Sequence, residues 1–194
     1  MVVAHALKAV FIHVQRTGGT ALMNSLQEES GNNIHIISQH DNARTISPDL
    51  LDGYPHYFTF GFVRNPWSRA LSWYLLLNKW HRKPWEEEQK AFEEFLETTL
   101  PDISDSRSGH FFNLNQLDHF IDSRGANRSD FIGRFENYEQ DCRMVWRKLG
   151  LGTPNIPVVN ESIAIDYRSF YTDRAREIVT ELCKRDISYF DYRF

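Results

Sequence analysis

Residues 10–21 read VFIHVQRTGGTA, and the fold is decided there. Val10, Phe11, Ile12 and Val14 form a short apolar run with β-branched members, the pattern of a strand buried on both faces of a parallel sheet. Gln15, Arg16, Thr17, Gly18, Gly19 and Thr20 break the run, and Ala21, Leu22, Met23 and Leu26 then open a helix by their spacing. A strand, a glycine turn and a helix in that order aim several unpaired backbone N–H groups and a positive helix end at one point. That point suits an anion. The glycines let a phosphate approach the backbone, Thr17 and Thr20 add hydroxyl donors, and Arg16 adds a fixed positive charge. The Walker A pattern, a longer glycine loop ending in Lys and Ser or Thr, is absent. The loop is therefore phosphate-binding in style without being an ordinary ATP or GTP loop, unless Thr-Gly-Gly-Thr is only a tight βα connection.

Outward from this stretch, strands and helices alternate. Residues 34–37, IHII, suit a second strand, Gln39 to Arg44 a polar loop, and Ser47 to Leu51 a weak helix. Tyr57 to Val63, YFTFGFV, reads as a central strand that Arg64, Asn65 and Pro66 end. Asn65 suits a helix cap and Pro66 a first helical position, which predicts a helix from Pro66 to about Asn78. Trp85, Phe92, Phe95, Leu96 and Leu100 mark the apolar face of a helix whose glutamates, Glu86 to Glu88 among them, form a solvated face rather than a metal site. Residues 101–112 carry no periodicity and read as a long surface loop forming one wall of a substrate site. Leu117 to Ile121 is expected to be a short helix, Ser123 to Asn127 a turn, and Phe131 to Phe135 a strand. Tyr138, Cys142, Val145, Trp146 and Leu149 share a helix face between Asn137 and Gly150. Ile156 to Val159 is extended. A last helix from Thr172 turns Ala175, Ile178, Val179, Leu182 and Cys183 inward, with Phe190, Tyr192 and Phe194 on the core. The expectation is one α/β domain, residues 1–194, with a P-loop-like three-layer fold: a mostly parallel sheet flanked by helices, its ligands beyond the strands' carboxyl ends.

The chain has 194 residues, 41% hydrophobic and 25% charged, with a formal charge of −4. That balance argues against broad nucleic-acid or anionic-membrane binding, so any polyanion must meet a local basic site. No stretch has the length of a membrane span, and the first strand begins too early for a secretory signal, so the expected location is cytoplasmic. Cys142 and Cys183 fall on apolar helix faces and read as buried thiols, neither metal ligands nor nucleophiles.

A second anion site follows the central strand. Arg64 ends it and Ser72 lies about two helical turns further on, so guanidinium and hydroxyl can hold one phosphate, with Arg69 in reach to assist. Alone, the segment reads better as a surface arginine and a mid-helix serine bonded to its own backbone. Together the two sites carry a resemblance. His13-Val14-Gln15-Arg16-Thr17-Gly18-Gly19-Thr20 resembles the 5′-phosphosulfate loop of sulfotransferases, and Phe62-Val63-Arg64-Asn65-Pro66-Trp67-Ser68-Arg69 with Ser72 resembles their 3′-phosphate site. Phe131 to Asp141, FIGRFENYEQD, and the ending Phe170 to Phe194 are similar to the carbohydrate sulfotransferase branch. The family usually has Pro at Gln15, Lys at Arg16 and often Ser at Ala21, and Arg and Lys are not interchangeable at close quarters.

The resemblance implies an enzyme that binds 3′-phosphoadenosine 5′-phosphosulfate and moves its sulfuryl group, without a metal, to a hydroxyl or amine of a carbohydrate or other small acceptor. It releases adenosine 3′,5′-bisphosphate. Arg16, Thr17, Gly18, Gly19, Thr20 and Ala21 would hold the 5′ end, Arg64 and Ser72 the 3′ phosphate, and late residues such as Arg134, Ser162 and Arg168 the nucleotide. Arg134 reads rather better as an ion-pair partner of Glu136 or Glu139. Arg16 is the candidate for stabilising the departing phosphate and His40, in QHDNAR, the candidate base, with His110 in reserve and His13 structural. Trp67, Trp73 and Trp80 stack on a sugar or pack in the core. Two other readings compete. One is a catalytically silent nucleotide-binding module, supported by Gln15, Arg16 and Ala21. The other is a small nucleotide kinase, disfavoured by the missing Walker A lysine and the lack of an acidic strand end to hold magnesium.

Overall fold

A computed structural model of the chain describes residues 1–31, 33–37, 51–78, 84–101, 114–122, 124–154 and 166–194. Five strands form one sheet: β1 (Val2–Ala4), β2 (Ala9–Ile12), β3 (Ile34–Ile36), β4 (Phe58–Val63) and β5 (Phe131–Arg134), in the order β3-β1-β2-β4-β5. β2, β4 and β5 are parallel, with Phe11 opposite Phe60 and Phe60 opposite Phe131. β1 is antiparallel to both β2 and β3, so β3 runs with the parallel set and β1 alone is reversed among the described residues. The sheet is thus mostly parallel, as the apolar runs at Val10 and Tyr57 imply.

The reversed strand is a feature the sequence reading does not contain. Val2, Val3 and Ala4 are too short a run to show a period, and β1 returns into β2 through a 3₁₀ turn, His5–Leu7, closed by Lys8 at φ 47°. The Ile34 run does form a strand, over Ile34–Ile36.

The chain folds into two compact units, Met1–Arg64 with Gln116–Asn160, and Asn65–Asn115 with Glu161–Phe194. The first holds the sheet. Alternate residues Val2, Ala4, Ala9, Phe11, Phe60 and Phe62 pack on Leu22 and Leu26 of α1 (Gly19–Glu29) and on Cys142, Val145 and Trp146 of α4 (Tyr138–Lys148). Met1, Val3 and Val10 pack instead against Ile37, Leu51, Tyr54 and Tyr57. The period of two along each strand produces this division between faces. The two helices take the spacing the sequence shows, and α4 stops before Gly150 at φ 72°.

The second unit is helical. α2 (Pro66–Leu77) opens with Asn65 accepting from the Trp67 and Ser68 backbone N–H groups and with Pro66 in its first turn, as expected for both residue types. α3 (Trp85–Glu94) runs into a π-helical turn, Phe95–Thr99, where a continuous α-helix was expected. Phe92 lies at the centre of an aromatic cluster with Tyr74, Phe95, Phe170 and Tyr171. The last expected helix is two, α5 (Asp173–Leu182) and α6 (Lys184–Phe190), parted at Cys183, whose φ of −110° and ψ of 20° leave the helical region. Ala175, Val179 and Cys183 are buried as expected, as are Phe190 and Tyr192, and the Phe194 ring meets Trp67, Tyr167 and Tyr171. Burial raises both thiols, Cys142 and Cys183, from the usual 9.0 to about 12. No described helix is long and apolar enough to cross a membrane.

Candidate functional site

Parallel pairing brings the two candidate junctions to one end of the sheet. Ile12 is opposite Gly61, so the carboxyl ends of β2 and β4 are neighbours, and the segments leaving them emerge at one edge of the sheet. The segment after β2 carries residues 13–20; the one after β4 begins with Arg64.

The turn after β2 is sharp, with Arg16 at φ 65° and Gly18 at φ 81°. Left-handed backbone suits Gly18 because it has no Cβ. Gly18 also caps α1, whose first closing bond runs from the Leu22 N–H to the Gly18 carbonyl at 3.4 Å. The N–H groups of Gly19, Thr20 and Ala21 precede that bond, at the helix end where backbone N–H groups are directed outward. Packing holds the turn rigid. The Tyr138 hydroxyl donates to the Gly18 carbonyl at 2.7 Å, and the His13 ring, stacked on Phe11 at 5.5 Å, occupies the space that a Cβ on Gly19 would need. His13 is therefore built into the loop, the structural role read for it.

The two threonines do different work. Thr17 is fully buried and its hydroxyl donates to the Val14 carbonyl at 2.8 Å, so its proton ties the loop together. Thr20 is exposed in the first turn of α1, and Ala21 beside it is buried. Arg16 is half-buried, and burial lowers its pKa from the usual 12.5.

Arg64 meets this loop. Its Nη1 donates to the Arg16 carbonyl at 3.4 Å, and its guanidinium carbon stands 4.3 Å from the centre of the Phe135 ring. Its backbone is gripped by one side chain: Gln116 Oε1 accepts from the Arg64 N–H and Gln116 Nε2 donates to the Arg64 carbonyl, both at 2.8 Å. Gln116 is itself fully buried, in the 3₁₀ turn Gln116–His119 that replaces the expected helix from Leu117 to Ile121. The Arg64 guanidinium thus reaches the backbone of the turn that opens α1, within the first unit; a guanidinium beside a helix N-terminus is a setting that suits an anion.

The second unit contains other residues named from the sequence. Ser72 is buried in α2, and Arg69 is buried with its Nη1 donating to the Leu114 carbonyl at 2.9 Å. Trp67 is buried as well, its indole N–H donating to the Arg176 carbonyl at 3.4 Å. Arg168 is exposed, lies 3.4 Å from Asp166 and covers the Tyr167 ring at 4.7 Å. In the first unit the Arg134 N–H is held by Asp141 Oδ2 at 2.6 Å, while Glu139 pairs with Arg143 one turn on. His40, His110, Trp80 and Ser162, with the stretches 102–113 and 156–159, lie outside the described residues. Among the described residues no group of three or more His, Cys, Asp or Glu side chains is placed to hold a metal ion.

Sequence reasoning missed Gln116, Tyr138 and Phe135 as parts of the site. Tyr138 registers in sequence as an apolar helix position and, with Phe135, within the stretch Phe131 to Asp141 that carries the resemblance, whereas Gln116 has no periodic or motif signal at all.

Comparison with known proteins bears on the family. An uncharacterized protein of Archaeoglobus fulgidus is 26% identical over 125 residues, which is 63% of this chain and 90% of that protein. No solved structure matches the chain. The model of the sulfotransferase family matches residues 1–193, end to end through both strand–turn–helix junctions, and the chain belongs to that family.

Proposed function

We propose that the protein transfers a sulfuryl group from 3′-phosphoadenosine 5′-phosphosulfate to a hydroxyl or amine of a carbohydrate or other small acceptor. One observation carries the reading: the Arg64 guanidinium donates to the carbonyl of Arg16, which supports a single ligand served by the two junctions that separately suit an anion. The donor supplies a sulfuryl group already attached to a phosphate leaving group.

The residues divide the work. Arg16 and the N–H groups of Gly18, Gly19, Thr20 and Ala21 bind the 5′ end, and Thr17 keeps the turn closed beneath it through Val14. Arg64 and Ser72 bind the 3′ phosphate, which distinguishes this donor from ATP, and Arg168 borders the nucleotide. Arg16 stabilises the negative charge that grows on the phosphate oxygen as its bond to sulfur breaks. His40 takes the proton of the acceptor oxygen as that oxygen bonds to sulfur. Positioning and electrostatics supply the rate, and the lower charge of a sulfuryl group makes a metal unnecessary in principle.

The test is thermal unfolding with adenosine 3′,5′-bisphosphate, without metal, against ATP with magnesium. A hundredfold excess over Kd stabilises by about 2.7 kcal/mol, a rise in Tm of roughly 5–10 °C at this chain length. Stabilisation by ATP with magnesium alone refutes the proposal and favours a kinase. Stabilisation by the bisphosphate with no transfer to any acceptor in a broad screen leaves a silent nucleotide-binding module.

A further inference from the structure

Gln116 is a long polar side chain with no exposed surface, and such a group is stable only where its amide is hydrogen-bonded. Both of its bonds to Arg64 go to one peptide residue, N–H and carbonyl, at 2.8 Å each. A primary amide presents an acceptor and a donor side by side, the same fork that a neighbouring strand offers to an extended residue. The backbone ladder between β4 and β5 ends at Val63 opposite Arg134, one residue before Arg64. Gln116 therefore extends the pairing of β4 by one residue, at the residue whose side chain leaves for the anion site.

That placement matters because Arg64 has four rotatable side-chain bonds and lies in a turn between a strand and a helix. A guanidinium discriminates between ligands only if its Cα is fixed, since each loose torsion adds an entropy cost to every bond it makes. Phe135 supports the guanidinium at 4.3 Å, the Arg16 carbonyl engages Nη1, and Gln116 holds the backbone from which the side chain starts.

We infer that Gln116 is a positioning residue for Arg64: by pairing with both backbone groups of Arg64 it sets the selectivity of the nucleotide site for a 3′ phosphate. The inference rests on the proposed donor reading and adds to it a residue that touches no ligand.

The experiment compares binding of adenosine 3′,5′-bisphosphate with that of adenosine 5′-phosphate, by titration calorimetry on the full chain. The wild type should prefer the bisphosphate. Gln116→Met keeps length and volume but removes both bonds, and it should lower that preference by roughly tenfold while changing affinity for the monophosphate little. Gln116→Asn guards against a misfolded methionine variant: it keeps a buried amide one methylene too short to span both groups, and it should lose selectivity in the same sense. A wild type without preference overturns the donor reading and this inference together. A wild-type preference retained in the folded variants, or an equal loss for both ligands, overturns this inference and leaves the donor reading standing.

Discussion

Gly18→Ala tests the tightest point of the candidate site. At φ 81° a Cβ is strained whatever surrounds it, at a cost of about 1–2 kcal/mol. Here the surroundings add a second cost: the new methyl carbon would stand 2.8 Å from both Cε2 and Cζ of Tyr138 and 3.0 Å from its oxygen. Carbon atoms rest at roughly 3.5–4.0 Å, so the ring must retreat by about 1 Å. It is not free to do so, because its hydroxyl is bonded to the carbonyl of the same glycine at 2.7 Å. Overpacking of this kind costs about 1–3 kcal/mol, which makes the total roughly 2–5 kcal/mol. Urea unfolding followed by fluorescence of the five tryptophans measures it. The same substitution in a Tyr138→Ala background separates the two parts: with the ring gone, only the backbone term of about 1–2 kcal/mol should remain. A loss below about 1 kcal/mol in the wild-type background, or an equal loss in both, would refute a loop held tight at Gly18 by backbone strain and the Tyr138 ring together.

Two further predictions concern stability. Because burial raises Cys142 and Cys183 from 9.0 to about 12, the folded chain keeps protons that the unfolded chain releases. Their contribution is complete below about pH 9 and is lost as pH rises from there toward 12, with a slope of about 1.4 kcal/mol per pH unit for each thiol; Cys142→Ala should flatten the decline in urea-measured stability above pH 9. Thr172 caps α5 by accepting from the Ala175 N–H at 3.0 Å, and its hydroxyl bonds Glu93. Thr172→Ala should cost about 1 kcal/mol and Thr172→Ser much less, a difference visible in thermal unfolding.

Both strand–turn–helix junctions were legible because their signals are local. A strand period ending in Thr-Gly-Gly-Thr, or in Arg-Asn-Pro, states its turn and its helix start within ten residues, and the cap at Asn65 forms as the residue types imply. Local signals mislead where packing decides. Trp85 to Leu100 has continuous helical spacing yet changes to a π-turn at Phe95, and the reversed strand Val2–Ala4 is too short to show any spacing. Thr17 looks like a ligand donor in sequence, whereas a buried carbonyl at Val14 takes its proton.

The sequence by itself determined the α/β class, the two places where a strand hands a cation to a helix, and the membership that their combination implies, because residue type and spacing within a turn suffice for each. Only the tertiary structure decided that the junctions meet, since the bond from Arg64 to Arg16 closes over 48 residues. It also decided that Gln116 and Tyr138 hold them, across 52 and 120 residues. Such pairings depend on which strands become neighbours, and no local pattern encodes the fit of one side chain to a backbone that distant in the chain.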